Sequence, residues 1–264
     1  MLRLFDCMLM RLSPQTLLAM RAETQIILKM DYPRYDILLA VESETEYWVR
    51  LHSCKKEPET VWWIESFLKE GDVLYDIGAN VGAYSLVASK FTRGMTKIYA
   101  FEPGFSTFAQ LCRNVLINKC EQSVIPLPIA LSNETRLNTL NYSTLDSGGS
   151  LHSVGDNIDH KGQPFTPLWR QTVLCYRLDE LIEQLSLPIP NHIKLDVDGH
   201  ELAILQGGQE TLMNSQVKSL LVELNEQLPS AEENVNLLCR KGFTLHSKHK
   251  IDDEMYNVIF VRKP

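Results

Sequence analysis

The sequence predicts an α/β fold, with a mostly parallel seven-stranded sheet, helices on both faces and an antiparallel C-terminal hairpin. Three observations support this fold. Val73–Ile77 is a short apolar run that ends in a turn of small residues, and helical spacing begins at Val81. Further apolar strands alternate with amphipathic helices, which indicates a parallel sheet with right-handed crossovers. The last two strands, Phe243–Ser247 and Tyr256–Val261, are close enough in sequence to pair as a hairpin.

The composition is that of a globular protein and limits the functions to be considered. Of the 264 residues, 44% are hydrophobic and 22% are charged, which is enough apolar material for one large domain. The net charge of −7 argues against a nucleic-acid binder, since such proteins usually present a basic surface. The six cysteines contain no CxxC pair, so no zinc site is predicted. No apolar stretch could span a bilayer, and Met1–Met10 is a poor signal peptide, so we expect a cytoplasmic protein.

The first part of the chain is predicted to be an appendage. Residues 1–58 are expected to form an N-terminal helical segment and a β-hairpin, and residues 59–264 the main domain. Helical character extends over residues 1–30. The hairpin strands are predicted at Tyr35–Val41 and Glu46–Leu51, joined by a polar turn.

In the main domain, strands and helices alternate along the chain. The predicted strands before the hairpin are Val73–Ile77, Thr96–Phe101, Val124–Ala130, Thr172–Tyr176, His192–Val197 and Val217–Leu224. The predicted helices are Glu59–Lys69, Val81–Lys90, Phe105–Asn118, Leu178–Leu185, Leu202–Leu212 and Ala231–Arg240. Pro126 and Pro128 indicate that the third strand is an edge or irregular one. Residues 133–171 interrupt the alternation, although Arg136–Tyr142 has the pattern of an exposed strand. Long insertions of this kind are commonly binding loops or lids.

Acidic residues recur where the predicted strands end. They are Asp76, Glu102, Asp196, Asp198 and Glu223. Because the carboxyl ends of parallel strands share one crevice, we expect these carboxylates to lie close together. Any one of them could cap a helix instead. Five at equivalent positions are harder to explain by capping alone.

The turn after the first parallel strand, together with the acid after the second, predicts an adenosine-type ligand. Glu102 follows Gly78 at close to the ~20-residue spacing at which a carboxylate binds the ribose hydroxyls. A dinucleotide site would need a glycine where Asn80 stands, and no Gly-Lys-Ser/Thr sequence indicates a P-loop. S-adenosylmethionine has two cationic groups and no phosphate, so it suits the acidic Asp76 better. Asp76 could bind its ammonium group, and the amides of the turn could contact its amino-acid part.

Five motifs, taken in order, resemble the FkbM family of S-adenosylmethionine-dependent methyltransferases. They are Asp76-Ile-Gly-Ala-Asn-Val-Gly82, Phe101-Glu102-Pro103, Ile129-Ala130-Leu131-Ser132, Ser147-Gly148-Gly149-Ser150 and Lys194-Leu195-Asp196-Val197-Asp198-Gly199-His200-Glu201. The resemblance covers roughly residues 60–225. It implies a Rossmann-like class I methyltransferase fold and, typically, O-methylation of a hydroxyl on a sugar, polyketide or other metabolite. Asp198 stands where many members of the family carry Glu.

The motifs supply the expected binding residues. Those expected at the cofactor are Asp76, Gly78, Ala79, Asn80, Gly82, Glu102, Pro103, Ala130, Leu131 and Asp196. The resemblance implies that the acceptor contacts Ser147, Gly148, Gly149 and Ser150. The acceptor is expected to be a small molecule or a sugar-containing compound, with no nucleic acid and no stable membrane insertion.

Methyl transfer needs a group that removes the proton of the acceptor hydroxyl. Asp196 and His200 are the first candidates, and Glu223 is the next. His200 could equally be a structural residue at a helix start. The same acids could bind Mg²⁺, but their spacing does not require it and no metal is predicted. An NAD-dependent oxidoreductase and a non-catalytic adenosine-ligand-binding protein stay as alternatives, and Asn80 argues against the former.

Overall fold

The computed structural model describes residues 12–23, 25–150, 152–159 and 161–263. The helical character predicted for residues 1–11 lies outside this part of the chain. The first described elements are helix α1 (Pro14–Glu23), strands β1 (Ile27–Lys29) and β2 (Leu38–Ala40), helix α2 (Glu44–Trp48), a 3₁₀ turn (Arg50–His52), and helices α3 (Ser53–Lys56) and α4 (Pro58–Phe67). Strands β1 and β2 form a small antiparallel sheet of their own.

The hairpin predicted between Tyr35–Val41 and Glu46–Leu51 is wrong. Strand β2 pairs with β1, a segment predicted to be helical, and most of the second predicted strand is helix α2 or the 3₁₀ turn after it. Helix α2 forms because its N-terminus has a capping box. The Ser43 hydroxyl accepts a hydrogen bond from the Glu46 N–H (3.0 Å), and the Glu46 carboxylate accepts one from the Ser43 N–H (3.2 Å).

Outside residues 128–171, the rest of the chain follows the predicted alternation of strands and helices. In chain order, its elements are β3 (Val73–Ile77), α5 (Ala83–Phe91), β4 (Lys97–Phe101), α6 (Phe105–Ile117), β5 (Val124–Leu127), β6 (Ala130–Ser132), β7 (Arg136–Tyr142), β8 (Ser153–Val154), β9 (Trp169–Arg177), α7 (Leu178–Leu185), β10 (His192–Leu195), α8 (Glu201–Gly207), α9 (Gln209–Met213), β11 (Ser219–Asn225), α10 (Pro229–Arg240), β12 (Phe243–Lys250) and β13 (Met255–Arg262). In the described ranges, no helix has both the length and the apolar character needed to cross a membrane.

The main sheet has seven strands in the order β12–β13–β11–β10–β3–β4–β5. Only β13 runs opposite to the other six strands, and it pairs with β12 as the predicted C-terminal hairpin. Alternate side chains of each strand enter two separate cores. In β3, Leu74 packs with α4, α5 and α6 on one face, and Tyr75 packs with α7, α8 and α10 on the other. The predicted α/β fold, with helices on both faces, is therefore confirmed.

The insertion after β5 is more ordered than a loop or lid. Strands β6, β9, β7 and β8 form a second sheet in that order, so the predicted strand Thr172–Tyr176 belongs to this sheet rather than to the main one. The prediction of one strand over Val124–Ala130 is also wrong. Strand β5 ends at Leu127, Pro128 follows, and the chain joins the second sheet at Ala130. Strand β5 is an edge strand, as the prolines indicated.

The turn after β3 must approach β10 closely, and Gly78→Ala tests this constraint. A Cβ at Gly78 would lie 1.8 Å from the carbonyl oxygen of Asp196, and its φ is +80°. We expect the substitution to lower the free energy of unfolding by about 2–4 kcal/mol, measured by chemical denaturation.

Gly94→Ala is the matched control because Gly94 has a similar φ of +74° but no atom within 4 Å of the added Cβ. Its free energy of unfolding should fall by about 1–2 kcal/mol, which is the cost of placing a residue with a Cβ in the left-handed conformation. Equal losses in the two variants would contradict a steric role for the close approach.

Candidate active site

The register of four parallel strands places the acidic residues side by side. Phe101, Ile77, Leu195 and Val222 are paired across β4, β3, β10 and β11. The residues that follow them are therefore neighbours in one row at the carboxyl edge of the sheet: Glu102, Gly78, Asp196 and Glu223. For Glu102, Asp196 and Glu223, this row confirms the expectation that the acids at the strand ends lie close together.

The crevice has a volume of about 920 Å³ including its open mouth. The sequence-predicted residues that line it are Gly78, Asn80, Glu102, Pro103, Ala130, Leu131, Gly149, Ser150, Asp196, Asp198, His200 and Glu223. Ala79 borders a smaller adjoining pocket, which shares Arg50, Gly78, Asn80 and Asp196 with the crevice. The predicted residues that border neither cavity are Asp76, Gly82, Ser147 and Gly148.

The backbone amides of the glycine turn already have partners inside the protein. The N–H groups of Gly78 and Ala79 both donate to the carbonyl oxygen of Phe101, at 3.0 and 2.9 Å. The N–H of Asn80 donates to Glu102 (3.0 Å), and that of Gly82 donates to Ala79 (2.9 Å). These amides were expected to bind the amino-acid part of a ligand, but none of the four has a free N–H.

Glu102 is held in place by two backbone amides. One carboxylate oxygen accepts a hydrogen bond from the N–H of Asn80 (3.0 Å) and the other from that of Gly104 (2.8 Å). Burial raises its pKa to about 7, although both hydrogen bonds act in the opposite direction. Each oxygen keeps a lone pair for a further donor, so this fixed carboxylate suits a vicinal diol.

A buried lysine controls the charge of Asp196. The Lys194 ammonium lies 2.8 Å from the Asp196 carboxylate and 4.0 Å from that of Asp76. Burial alone would raise the pKa of Asp196, but the charge and hydrogen bond of Lys194 lower it below the usual range. Asp196 is thus an ionised carboxylate at the crevice and can attract a cationic ligand group.

Asp76 faces the core behind the crevice. It occupies the position in β3 next to Lys194, and its carboxylate accepts a 2.6 Å hydrogen bond from the Ser85 hydroxyl of α5. Its other oxygen is buried without a hydrogen-bond partner among the described residues. The geometry therefore places Asp76 beside the Lys194 charge and away from the surface that a ligand would touch.

Glu223 is the carboxyl group of the row with the most strongly perturbed acidity. Burial raises its pKa well above the usual range, and the negative charges of Asp196 and Asp198 raise it further. Asp198 lies in the tight loop after β10, where its φ is +56° and that of Gly199 is +107°. Glu201 closes this loop by accepting hydrogen bonds from the N–H groups of Val197 (3.3 Å) and Gly199 (3.1 Å).

His200 is engaged in a structural hydrogen bond. Its Nε2 accepts a bond from the backbone N–H of Val154 in β8 (3.0 Å), and it directly precedes helix α8. Burial lowers its pKa below the usual value, although the charge of Asp156 opposes the shift. While the bond to Val154 persists, Nε2 has no lone pair for a proton from a substrate.

Residues 146–150 form a docked loop over one side of the crevice. Three successive carbonyl oxygens each accept a side-chain hydrogen bond: Ser147 from Ser43 Oγ (2.6 Å), Gly148 from Arg50 Nε (2.9 Å) and Gly149 from Asn80 Nδ2 (2.8 Å). Gly149 and Ser150 face the crevice, whereas Ser147 and Gly148 contact the first 58 residues. Asn80 therefore ties the glycine turn to this loop.

Three ionisable residues of the crevice were not found from the sequence. Arg50 and Lys56 come from the appendage, whose local structure was predicted wrongly, and His152 comes from the insertion. The Ser-x-x-Glu capping box at Ser43 was the available signal that the chain before Arg50 is helical. No comparable pattern marks His152, which packs on the Tyr142 ring with centroids 4.5 Å apart. The described residues contain no group of three or more His, Cys, Asp or Glu placed to hold a metal ion.

Comparison with known proteins identifies the family. The sequence model of the protein family described as the methyltransferase FkbM domain matches residues 76–245. The chain belongs to the FkbM methyltransferase family. The resemblance of the five motifs is thereby confirmed, and this FkbM-family protein is a methyltransferase with a Rossmann-like fold.

Two curated relatives are similar over most of the chain. The hexuronic acid methyltransferase AglP of Haloferax volcanii is 29% identical over 191 residues, 72% of this chain and 71% of the relative. The 31-O-demethyl-FK506 methyltransferase FkbM of Streptomyces tacrolimicus is 25% identical over 198 residues, 67% of this chain and 75% of the relative.

Solved structures with similar folds have lower identity. The TYW2 protein of M. jannaschii, in complex with AdoMet, is 14% identical with a TM-score of 0.49, covering 91% of this chain and 87% of its own. The precorrin-6y C5,15-methyltransferase of Geobacter metallireducens GS-15 is also 14% identical, with a TM-score of 0.48, covering 79% of this chain and 87% of its own.

Glu46→Ala tests how the appendage holds the docked loop. The buried Glu46 carboxylate accepts hydrogen bonds from the Ser147 hydroxyl (2.6 Å) and the Ser43 N–H (3.2 Å). We expect its removal to lower the free energy of opening residues 146–150 by about 1–3 kcal/mol, measured by amide hydrogen exchange.

Glu44→Ala is the control, because Glu44 lies in the same first turn of α2 but is exposed. It should leave exchange in the docked loop unchanged. If both variants exchange at the wild-type rate, the loop does not depend on Glu46.

Proposed function

We propose that this methyltransferase uses S-adenosylmethionine and methylates a hydroxyl oxygen of a small-molecule or sugar-containing acceptor. The observation that carries the proposal is the row of Glu102, Gly78, Asp196 and Glu223 along one edge of the sheet. It offers an acceptor pair for a diol, an ionised carboxylate for a cation and a further carboxyl of raised pKa. The names of the two curated relatives support the acceptor class, since one refers to a sugar acid and the other to an O-demethyl compound.

The residues present fit this cofactor. Glu102 would accept hydrogen bonds from the ribose hydroxyls, and Asp196 would attract the ammonium group. The adenine would find an apolar surface made by residues that line the crevice near Glu102: Phe101, Pro103, Ile129 and Leu131. A pyrophosphate has no such fit, because the turn amides that would bind it are already donating elsewhere. This disfavours the NAD-dependent alternative.

The cofactor supplies a methyl group activated by a sulfonium. The protein must hold the acceptor oxygen in line with that methyl and accept the hydroxyl proton. We assign the proton to a carboxylate oxygen of Glu223, because its raised pKa makes it a stronger base than Asp196 once it is ionised. Asp196 is paired with Lys194, and His200 Nε2 accepts a hydrogen bond from Val154, so both are weaker candidates than Glu223 for the proton acceptor.

Binding of S-adenosylhomocysteine is the direct test of the cofactor. We expect saturable binding by calorimetry and a positive thermal shift, with neither effect from NADH. Transfer of isotopically labelled methyl to purified hexuronic acids or to the small-molecule fraction of a cell extract should then separate an enzyme from a protein that only binds the ligand. A thermal shift with NADH alone would refute the proposal.

The affinity for adenosine should depend on pH through Glu102. In the free protein the pKa of Glu102 is about 7, raised by burial, so its carboxyl is largely protonated at pH 6 and ionised at pH 8. Since the ionised form accepts both ribose hydrogen bonds, the affinity should rise about tenfold over this range. Adenosine is the suitable probe because it lacks the titrating amino group of the full cofactor.

Glu102→Gln provides the matched control for this pH effect. It keeps the size of the side chain but cannot ionise, so its affinity should be lower and independent of pH between 6 and 8. An equally steep rise in the variant would assign the titration to another group.

Glu223→Gln tests the proposed proton acceptor. We expect kcat to fall about 10²- to 10⁴-fold while S-adenosylhomocysteine binds with unchanged affinity. In the wild type, kcat should increase with pH through the raised pKa of Glu223, because only the ionised form accepts a proton. A variant with wild-type kcat and the same rising pH profile would exclude Glu223 from this role.

A further inference from the structure

The binding of an amino-acid carboxylate is not explained by the glycine turn. Its amides at Gly78, Ala79, Asn80 and Gly82 all donate to groups inside the protein. A carboxylate that loses water needs charge-assisted donors in their place. A cationic side chain at the crevice or the adjoining pocket can supply such a donor.

Two of the cationic side chains at these cavities already have anionic partners. The Lys194 ammonium is buried 2.8 Å from Asp196 and 4.0 Å from Asp76. The Lys56 ammonium lies 2.9 Å from the Glu57 carboxylate. Both charges are thus compensated without a ligand.

Arg50 is the cation that remains available among the described residues lining the two cavities. Its Nε donates to the carbonyl oxygen of Gly148 (2.9 Å), and its terminal nitrogens hydrogen-bond to no described residue. It borders both the crevice and the adjoining pocket. The bond to Gly148 fixes the guanidinium plane and leaves the two terminal nitrogens to bind a carboxylate in a bidentate manner.

We propose that Arg50 binds the carboxylate of the amino-acid tail of the cofactor. The proposal rests on the use of S-adenosylmethionine proposed above. The tail is a zwitterion, and the adjoining pocket offers a group for each charge: Asp196 for the ammonium and Arg50 for the carboxylate. Arg50 also lies close enough to Asp196 to stabilise its negative charge. The appendage therefore forms part of the cofactor site.

A comparison of two ligands with and without the tail tests this role. S-adenosylhomocysteine carries the amino-acid tail, and 5′-methylthioadenosine has the same nucleoside thioether without it. We expect Arg50→Gln to weaken S-adenosylhomocysteine binding about 10- to 100-fold by calorimetry and to change methylthioadenosine binding less than threefold. Arg50→Lys, which keeps the charge but loses the planar fork, should give an intermediate loss for the tailed ligand.

Ser147→Ala controls for an indirect effect through the docked loop. Ser147 ties this loop to Glu46 but does not border either cavity. The variant should therefore keep the wild-type ratio between the affinities of the two ligands.

The remaining outcomes overturn the proposal. Equal weakening of both ligands by Arg50→Gln would mean that Arg50 acts only by holding the loop. Unchanged affinity for both ligands would mean that the tail is bound elsewhere. If Arg50→Gln weakened only the binding of glucuronate, a hexuronic acid tested as a model acceptor, Arg50 would bind a carboxylate of the acceptor instead. If the wild-type protein binds neither nucleoside ligand, the proposed function itself fails.

Discussion

The candidate site depends on the register of four parallel strands. Because Ile77 pairs with both Phe101 and Leu195, the next residues along each strand meet at the sheet edge, and Gly78 must pass close to the carbonyl of Asp196. A shift of one residue in any strand would turn the acid of that strand to the opposite face. The register therefore determines which carboxylates face the crevice and which, like Asp76, face the core.

Charge compensation makes this concentration of acids possible and gives them different properties. The Lys194 ammonium lies between Asp76 and Asp196, so its positive charge offsets the negative charge at the centre of the cluster. Asp196 stays ionised for this reason, whereas burial and neighbouring negative charge raise the pKa of Glu223. Carboxyl groups on adjacent strands are thus suited to different tasks, one to hold a cation and the other to exchange a proton.

The sequence predicted the parts of the site that depend on local pattern. Strand β3 has the predicted bounds Val73–Ile77, and Glu102, Asp196 and Glu223 lie where strand ends should bring them. The strand pairing within residues 1–58 and within residues 133–171 was not predictable, because strand partners are set by tertiary contacts rather than by propensity. The partner of the Asp76 carboxylate and the hydrogen bonds of the turn amides were not predictable either, since both depend on side-chain direction and on long-range contacts.

A crystal structure with S-adenosylhomocysteine is the most direct test of the central claim, that the strand-end row holds a methyl donor beside a proton acceptor. We expect the ribose hydroxyls on Glu102, the amino-acid tail between Asp196 and Arg50, and the sulfur facing the side of the crevice that carries Glu223. A ribose bound away from Glu102, or a sulfur that faces away from Glu223, would contradict this account.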